Sequence, residues 1–491
     1  MKEALNLAHL FLERAAAQPT ALALASQREG GTATYAELGL EIESLACLLR
    51  QKGIEPGMNV GLHHASGRTY IALTYAVWLC GACITPLPLE LANEEKLHLL
   101  NHIAIDWILA AKSSPVFAQL TLESHPLAGN GLLLKIKKNQ PAPAPLANLN
   151  PAFIRFTSGT TGDAKGVILS HETIFERIQA ANACLAIGPD DRVVWLLSMA
   201  YHFAVSIVAY LTYGATIILS KNSFGVSILE AANLYGATVI YAAPTHYDLM
   251  CQVGEGQLPS GLRLAIVTTA CLSPDLARRF WERFGVALQE TYGIIEIGLP
   301  AINVDHPRQK QGSVGRVLPA YELKLAAPDS EGIGEILLRG PGLLDAYYEP
   351  WLFRAQILEQ RGGWLGTGDL GRLDGDGYLT IVGRSKELIN VGGMKFFPQE
   401  VETVLERHPA IQEACVFAVK SSRFGEEPIC HLVLAPGQEC PSDEELRSHC
   451  SSRLATFKIP SQFAWMEQLA RTASGKLIRK ADKLRLPFPT G

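Results

Sequence analysis

Short apolar runs of strand length alternate with longer stretches of helical periodicity along the N-terminal part of the chain. The spacing of apolar residues predicts helices over 5–17, 33–53 and 68–80, and strands over 59–62 and 82–87. A strand followed by a helix and a second strand is typical of a parallel sheet covered by helices. We therefore expect an α/β fold whose large N-terminal domain is built from helix-covered sheets.

The same alternation continues downstream and changes character at Gly312. Further strands are predicted over 132–136, 153–156, 193–197, 216–219, 239–242 and 264–268. Short strands over 321–325, 334–339 and 378–382 stand between glycine-rich turns, which predicts a small all-β subdomain over 312–384. A compact α+β unit then follows, with helices over 398–407 and 442–454 and strands over 414–419 and 429–434. The predicted domains are residues 1–385 and 386–491.

Composition excludes several classes of protein. Hydrophobic residues make up 48% of the 491 residues and charged residues 19%, as in soluble folded proteins. A net charge of −5 lacks the basic footprint of a nucleic-acid binder, and the longest apolar run, Tyr70–Ile84, is too short to span a membrane. Scattered cysteines and an N-terminus without an apolar leader predict a reducing cytoplasm. The Cys80–Cys83 pair has no second pair at ligand spacing, so we expect it to pack in the core.

A loop of glycine and hydroxyl residues between an apolar strand and a lysine is the most specific chemical motif. Glycines let backbone N–H groups approach a polyphosphate, hydroxyls add donors, and a lysine adds positive charge. Ala164-Lys165-Gly166 stands where a Walker A loop requires Gly-Lys-Ser/Thr, so a P-loop NTPase is disfavoured. The predicted phosphate-binding residues are Thr157, Ser158, Gly159, Thr160, Thr161, Gly162 and Lys165.

The segment TSGTTGDAKG resembles the phosphate loop of the acyl-adenylate-forming superfamily, which includes acyl- and aryl-CoA synthetases, adenylation domains of non-ribosomal peptide synthetases, and luciferases. Residues 289–296 resemble its Tyr-Gly-x-Thr-Glu segment, and residues 366–370 its Thr-Gly-Asp motif. Residues 383–389 are similar to its hinge segment, and residues 471–476 to its C-terminal Arg-Thr-x-Ser-Gly-Lys. The motifs follow the family's order over nearly the whole chain, so their combination is specific.

This resemblance implies an N-terminal adenylation domain and a mobile C-terminal domain that swings about Lys386. It implies an AMP-forming acid–thiol ligase that uses ATP, Mg²⁺ and either CoA or the phosphopantetheine arm of a separate carrier protein. Glycines and a lysine after the hinge are then expected on the thiol side of the site, namely Gly392, Gly393 and Lys395.

The resemblance also assigns roles to individual residues. It implies catalytic roles for Lys476, Glu296, Thr157 and Lys165, with Glu296 as the Mg²⁺ ligand. Further nucleotide contacts are expected from Thr269, Ala270, Cys271, Glu290, Thr291, Tyr292, Asp369 and Arg384. Taken alone, these side chains have ordinary alternatives: a surface acid at 296, a turn cap at 369, an interdomain ion pair at 384, and a solvated lysine at 476.

The acyl pocket indicates the substrate class. Relatives that activate amino acids place an aspartate in the segment matching 201–206, but no acid occurs between Asp191 and Glu230. Because burying an ammonium group without a partner is costly, we expect an aryl or apolar acid. The predicted pocket residues are Tyr201, His202, Phe203, His246, Gly293 and Ile294. His202 has a core histidine as its alternative.

Two departures from the family pattern leave further functions open. Ile295 stands where relatives usually have a threonine that contacts the α-phosphate, and Thr268-Thr269-Ala270-Cys271 replaces a frequent Gly-Gly. The alternatives to a CoA ligase are therefore an enzyme that loads a separate carrier protein and a non-catalytic acyl-adenylate binder.

Overall fold

The computed structural model describes residues 4–27, 31–111, 115–127, 131–138, 140–157, 165–391, 394–421, 423–471 and 477–479, with only the backbone of Thr157, Lys165 and Lys395. The α-helices are α1 (Leu7–Ala17), α2 (Tyr35–Gln51), α3 (Arg68–Leu79), α4 (Asn93–His102), α5 (Pro115–Ala118), α6 (His171–Leu185), α7 (Met199–His202), α8 (Val208–Thr212), α9 (Gly225–Leu234), α10 (Pro244–Cys251), α11 (Pro274–Phe284), α12 (Arg354–Glu359), α13 (Pro398–Leu405) and α14 (Asp443–Ser451). Short 3₁₀ helices cover Ala144–Leu149, Ser385–Glu387 and Thr456–Lys458, and a π-helical turn covers Phe203–Ile207.

The strands of the first half are β1 (Leu22–Ser26), β2 (Ala33–Thr34), β3 (Asn59–His63), β4 (Cys83–Pro86), β5 (Trp107–Ala110), β6 (Thr121–Pro126), β7 (Leu132–Ile136), β8 (Pro151–Thr157), β9 (Lys165–Ser170), β10 (Arg192–Trp195), β11 (Thr216–Leu219) and β12 (Val239–Ala242). The later strands are β13 (Leu264–Val267), β14 (Gln289–Ile294), β15 (Gly298–Ile302), β16 (Arg316–Val317), β17 (Glu322–Ala326), β18 (Gly334–Arg339), β19 (Ala346–Tyr347), β20 (Leu352–Phe353), β21 (Leu365–Leu373), β22 (Leu379–Arg384), β23 (Ile389–Val391), β24 (Met394–Phe396), β25 (Ile411–Ser421), β26 (Gly425–Leu434) and β27 (Gln462–Met466).

The chain divides into two compact units, residues 1–323 with 338–365 and residues 324–337 with 366–491. The first unit holds two nine-stranded sheets, with strand orders β16-β15-β14-β13-β12-β10-β11-β1-β2 and β20-β19-β9-β8-β4-β3-β5-β7-β6. The four-stranded sheet β17-β18-β21-β22 lies mainly in the second unit, which also holds β24-β23-β26-β25 with β27 beside β26.

Local sequence signals explain where the helices begin. Thr34 and Glu37 form a capping box at the start of α2, and the Ser170 hydroxyl accepts a hydrogen bond from Thr173 N at the start of α6. Helix α3 connects strands β3 and β4, which pair in parallel, and it is buried along most of its length. This β3–α3–β4 unit confirms the predicted helix-covered parallel sheet.

Most predicted elements are present, and the differences have physical causes. The strands over 132–136, 216–219, 239–242 and 334–339 have the predicted ends. The stretch over 312–384 is not all β, because α12, made of good helix formers, lies within it and β19 pairs with β9 of the first unit. Cys80 and Cys83 are buried thiols, which confirms their packing role. Among the described residues, no helix is both long and apolar enough to cross a membrane.

Candidate active site

Four predicted site segments follow neighbouring parallel strands of the first sheet. Strands β10, β12, β13 and β14 pair in parallel in that order. Helix α7, His246, the segment Thr268–Cys271 and the segment Gly293–Glu296 lie at or beyond their respective carboxyl ends. Ligands of open α/β sheets bind at this edge, so the fold brings separate stretches of sequence to the position where a site is expected.

The tight turn between β14 and β15 carries Glu296. A side chain at Gly293 would meet the carbonyl oxygen of Gly298 at 2.5 Å from its Cβ, so the close approach of the two strands requires glycine there. The guanidinium of Arg177, which is 1% exposed, donates to the Ile295 carbonyl at 3.0 Å. The Glu296 carbonyl in turn accepts from Leu344 N at 2.7 Å. Two neighbouring segments therefore fix this turn through its backbone and leave the Glu296 carboxylate for other contacts.

The Glu296 carboxylate fits a divalent cation. It is half-buried and accepts one long hydrogen bond, 3.4 Å, from the Tyr347 hydroxyl, and no described lysine or arginine forms an ion pair with it. Burial, followed by the negative charge of Glu296, raises the pKa of Tyr347 above its ordinary value. The described residues contain no cluster of three potential metal ligands. A single carboxylate suits Mg²⁺ that is otherwise held by substrate phosphates and water.

The predicted phosphate loop connects β8 to β9. These strands pair antiparallel and end in the register Thr157↔Lys165, so the loop starts and ends at adjacent backbone positions. A side chain at Gly166 would collide with the Phe156 ring, which explains the glycine after the lysine. Ser158, Gly159, Thr160, Thr161 and Gly162 lie outside the described residues.

The residues before the turn face the protein interior. The buried Glu290 carboxylate accepts from Gly312 N at 2.7 Å, and burial raises the pKa of Glu290 to about 7. The Thr291 hydroxyl donates to the Val267 carbonyl at 2.8 Å, and the Tyr292 side chain is buried. Their nucleotide contacts stay predictions.

The segment after β13 has a strained backbone. Thr269 has φ of +75°, a left-handed conformation that is unfavourable for a β-branched residue. A glycine at this position, as in relatives with Gly-Gly, would adopt the left-handed conformation without strain. The replacement of Gly-Gly by Thr268-Thr269 therefore strains the backbone at Thr269. Ala270 and the Cys271 thiol are exposed beside it.

The predicted acyl-pocket residues have different surroundings. The Tyr201 ring lies 5.1 Å from the guanidinium carbon of Arg155, and the His202 ring lies 6.1 Å from that of Trp195. Phe203 is fully buried among aromatic rings of α3. The His246 ring accepts a hydrogen bond from Ala243 N at 3.2 Å, and burial lowers the pKa of His246. Gly293 is exposed and Ile294 is partly buried at the end of β14.

In the second unit, Asp369 and Arg384 form an ion pair. They are direct partners on β21 and β22, and the Arg384 Nε lies 3.0 Å from the Asp369 carboxylate. Asp369 is 4% exposed, whereas the Arg384 side chain is 39% exposed. The pair forms across one sheet within one unit, so this ion pair differs from the interdomain pair that was the alternative reading of Arg384. Ribose binding by either residue stays a prediction.

The remaining predicted residues lie near or beyond the described ranges. Lys386 belongs to the 3₁₀ turn Ser385–Glu387, whose Ser385 hydroxyl donates to the Gly368 carbonyl at 3.1 Å. The Lys395 backbone pairs with Asn390 in β23. Gly392, Gly393 and Lys476 lie outside the described residues, although Arg471 and Leu477 on either side of the last motif form an antiparallel bridge.

Three side chains around these segments are not predicted by the sequence motifs. Arg155, Arg177 and Tyr347 contact the α7 turn, the Ile295 carbonyl and Glu296, respectively. The sequence does mark the two arginines as unusual, because Arg155 interrupts an apolar strand and Arg177 stands on the buried face of α6. Nothing local distinguishes Tyr347.

Comparisons with known proteins identify the family of the chain. Residues 11–348 match the family model of AMP-binding enzymes, and residues 400–476 match the model of the AMP-binding enzyme C-terminal domain. A sulfoacetate–CoA ligase of Cupriavidus necator is 30% identical, and the match covers 96% of both chains. A 2-succinylbenzoate–CoA ligase of Bacillus cereus is 28% identical over 96% of both chains. The solved O-succinylbenzoate–CoA synthetase of Bacillus subtilis in complex with AMP superimposes with a TM-score of 0.83 at 26% identity, covering 97% of this chain and 98% of the other.

The fold and these matches define an AMP-forming acid–thiol ligase. The chain belongs to the family of AMP-binding enzymes, with the N-terminal and C-terminal family models matched in order. This confirms the superfamily and the enzyme class expected from the motifs.

Proposed function

We propose that this protein uses ATP and Mg²⁺ to activate a small carboxylic acid as acyl-AMP and transfers the acyl group to CoA. Relatives of known activity support this choice, since the two ligases named above act with CoA and the Bacillus subtilis synthetase has also been solved with ATP and a magnesium ion. We propose an aryl or apolar acid, because the pocket segment 201–206 lacks an acid that could pair with an amino group.

The observation that carries the proposal is the Glu296 turn. Its backbone is held by Arg177 and Leu344, and its carboxylate has no ion-pair partner among the described residues. Glu296 would hold Mg²⁺, which would neutralise phosphate charge when bound. The acid's carboxylate then attacks the α-phosphate, and pyrophosphate leaves. We assign phosphate binding to Thr157–Lys165 and stabilisation of the developing negative charge to Lys476.

In the second step a thiol attacks the mixed anhydride and AMP leaves. We propose domains 1–385 and 386–491 with Lys386 as the hinge, ribose binding by Asp369 and Arg384, and a thiol-side role for Gly392, Gly393 and Lys395. A carrier-protein phosphopantetheine is the alternative thiol, and assaying both acceptors distinguishes them. We place the activity in the cytoplasm, in keeping with ten free cysteines.

Separate assays of the two half-reactions test this function. Acid-dependent release of pyrophosphate reports the first step, and thioester formation from pre-made acyl-AMP reports the second. We expect Lys476→Ala to slow the first step by roughly 100- to 1000-fold and to spare the second, since a fixed charge is lost from the first transition state. Lys420→Ala, an exposed lysine of β25, is the matched control. Wild-type acyl-AMP formation in the Lys476 variant would refute this assignment.

A further inference from the structure

Three buried hydrogen-bond donors surround the short helix α7 without an acceptor. The Tyr70 hydroxyl, Arg155 Nε and Trp195 Nε1 are buried and have no hydrogen-bond partner within the described part of the chain. Their side chains contact three consecutive residues, the last two of α7 and the first of the π-helical turn: Arg155 packs on Tyr201, Trp195 on His202, and Tyr70 on Phe203. Buried polar groups are nearly always paired, so an unpaired set of donors in a predicted substrate pocket points to a ligand that brings acceptors.

Arg155 gives this cluster its charge. Its Nη1 donates to the Tyr201 carbonyl, a neutral partner. The Glu296 carboxylate acts on the guanidinium electrostatically, but no described carboxylate lies within ion-pair distance of it. Burial lowers the pKa of Arg155 to about 10, so the group stays protonated at neutral pH. A partly buried cation without an ion-pair partner favours a ligand that compensates its charge.

The lining of a neighbouring cavity affects where an anion can bind. A cavity of about 220 Å³ lies beside Trp195 and is lined by Ser66, Ser198 and Asn222, but also by Glu90. The Glu90 carboxylate repels a second negative charge, whereas Arg155 attracts one. Glu90 also acts on Tyr70 and Tyr201 of the cluster, so an anionic group is expected at Arg155, whose positive charge opposes that repulsion.

We propose that the acid substrate carries a second anionic group, a carboxylate or sulfonate, and that Arg155 binds it beside α7. This inference rests on the proposed function, because it presumes that α7 lines the acyl pocket. It refines the expected aryl or apolar acid: the body of the acid contacts the aromatic side chains, and its far end is charged.

Pairs of acids that differ only in charge test this proposal. The probes are terephthalate against 4-carbamoylbenzoate and succinate against succinamate, measured by calorimetric titration with a non-hydrolysable ATP analogue present. The wild-type protein is expected to bind at least one dianion 10- to 100-fold more tightly than its amide, as a charge-assisted hydrogen bond provides. Arg155→Met should remove that preference and leave binding of the amide and of the ATP analogue unchanged.

Arg283→Met is the matched control, because Arg283 also has an unpaired buried Nε and lies over a ring, that of Phe284, but on α11. It should keep the wild-type preference. Equal binding of both dianions and their amides by the wild type would overturn the proposal without any variant. A weakened ATP analogue in Arg155→Met would also overturn it, because Arg155 would then serve the nucleotide or Glu296.

Pyrophosphate release by the same proteins tests the ligase function separately from the role of Arg155. Dianion-selective binding that depends on Arg155, with no release for any acid, would reject the ligase function and keep the Arg155 role. Release without dianion selectivity would reject the Arg155 role and keep the ligase function.

Discussion

The Glu296 turn and the Asp369–Arg384 strand pair hold their carboxylates in opposite ways. Glu296 is fixed through its backbone, and its half-buried carboxylate accepts a hydrogen bond from a tyrosine hydroxyl and forms no ion pair with a described residue. Asp369 is almost fully buried, and its carboxylate is bound to the guanidinium of Arg384. A carboxylate of the first kind keeps its charge available for a cation. One of the second kind is already neutralised and is suited to accept hydrogen bonds from neutral hydroxyls.

Of the substitutions that test this contrast, Glu296→Gln should change activity the most. The amide keeps the shape and loses the charge that holds Mg²⁺, so we expect acyl-AMP formation to fall by roughly 100- to 1000-fold. Pyrophosphate release measured across a Mg²⁺ titration checks this. Glu322→Gln, which changes an exposed acid, should behave as wild type. An unchanged Mg²⁺ dependence in the Glu296 variant would remove this residue from the metal site.

Replacing Asp369 by Asn should act first on stability. It leaves Arg384 without its ion-pair partner, and because Arg384 is partly exposed we expect a loss of about 1–3 kcal/mol. The Glu322–Arg339 pair is an exposed ion pair of the same four-stranded sheet, so Glu322→Gln should cost no more than about 0.5 kcal/mol. Thermal unfolding of both variants provides the comparison. Equal losses would show that burial does not distinguish the two pairs.

Glu290 adds a third environment, a buried carboxylate with neither a cation nor a tyrosine. Its native pKa of about 7 exceeds the ordinary value of 4.5, so the native state binds more protons than the unfolded state between these pH values. The contribution of Glu290 to stability is therefore highest below pH 4.5 and is lost as the pH rises to about 7.

Glu290→Gln should consequently match the wild type near pH 4.5 and exceed it at pH 8, by about 1–3 kcal/mol. The glutamine oxygen can still accept from Gly312 N. Denaturant unfolding at the two pH values measures the difference. A constant offset between variant and wild type at both pH values would contradict the raised pKa.

The sequence predicts the parts of this fold that local patterns encode. Apolar runs bounded by polar residues identified strands such as Thr216–Leu219 and Val239–Ala242 with their correct ends. The edge strand Thr121–Pro126 was missed because most of its residues are exposed and lack an apolar alternation. Lys165–Ser170 was missed because its strand conformation depends on pairing with β8.

The candidate site also has a part that the sequence predicts and a part that it does not. Glu296 and Asp369 stand in recognisable motifs, but the partners that distinguish their environments come from distant segments. Arg177 reaches the Ile295 carbonyl from a helix 118 residues earlier in the chain. Such contacts depend on how the elements pack, which periodicity and spacing do not encode.

The smallest expected effect comes from the residue beside Glu296, where Ile295 replaces the usual threonine. The Ile295 carbonyl is held by Arg177 whatever the side chain, so a substitution here changes only what the side chain offers. Ile295→Thr adds a hydroxyl that can donate to the α-phosphate, and we expect a fall in the KM for ATP or a rise in the adenylation rate of about tenfold. Ile295→Val has nearly the shape of threonine without the hydroxyl, so the difference between the two variants isolates the hydrogen bond. If the side chain instead packs against the acid, both variants will raise the KM for the acid and leave that for ATP unchanged. Initial rates with each substrate varied in turn decide between these outcomes.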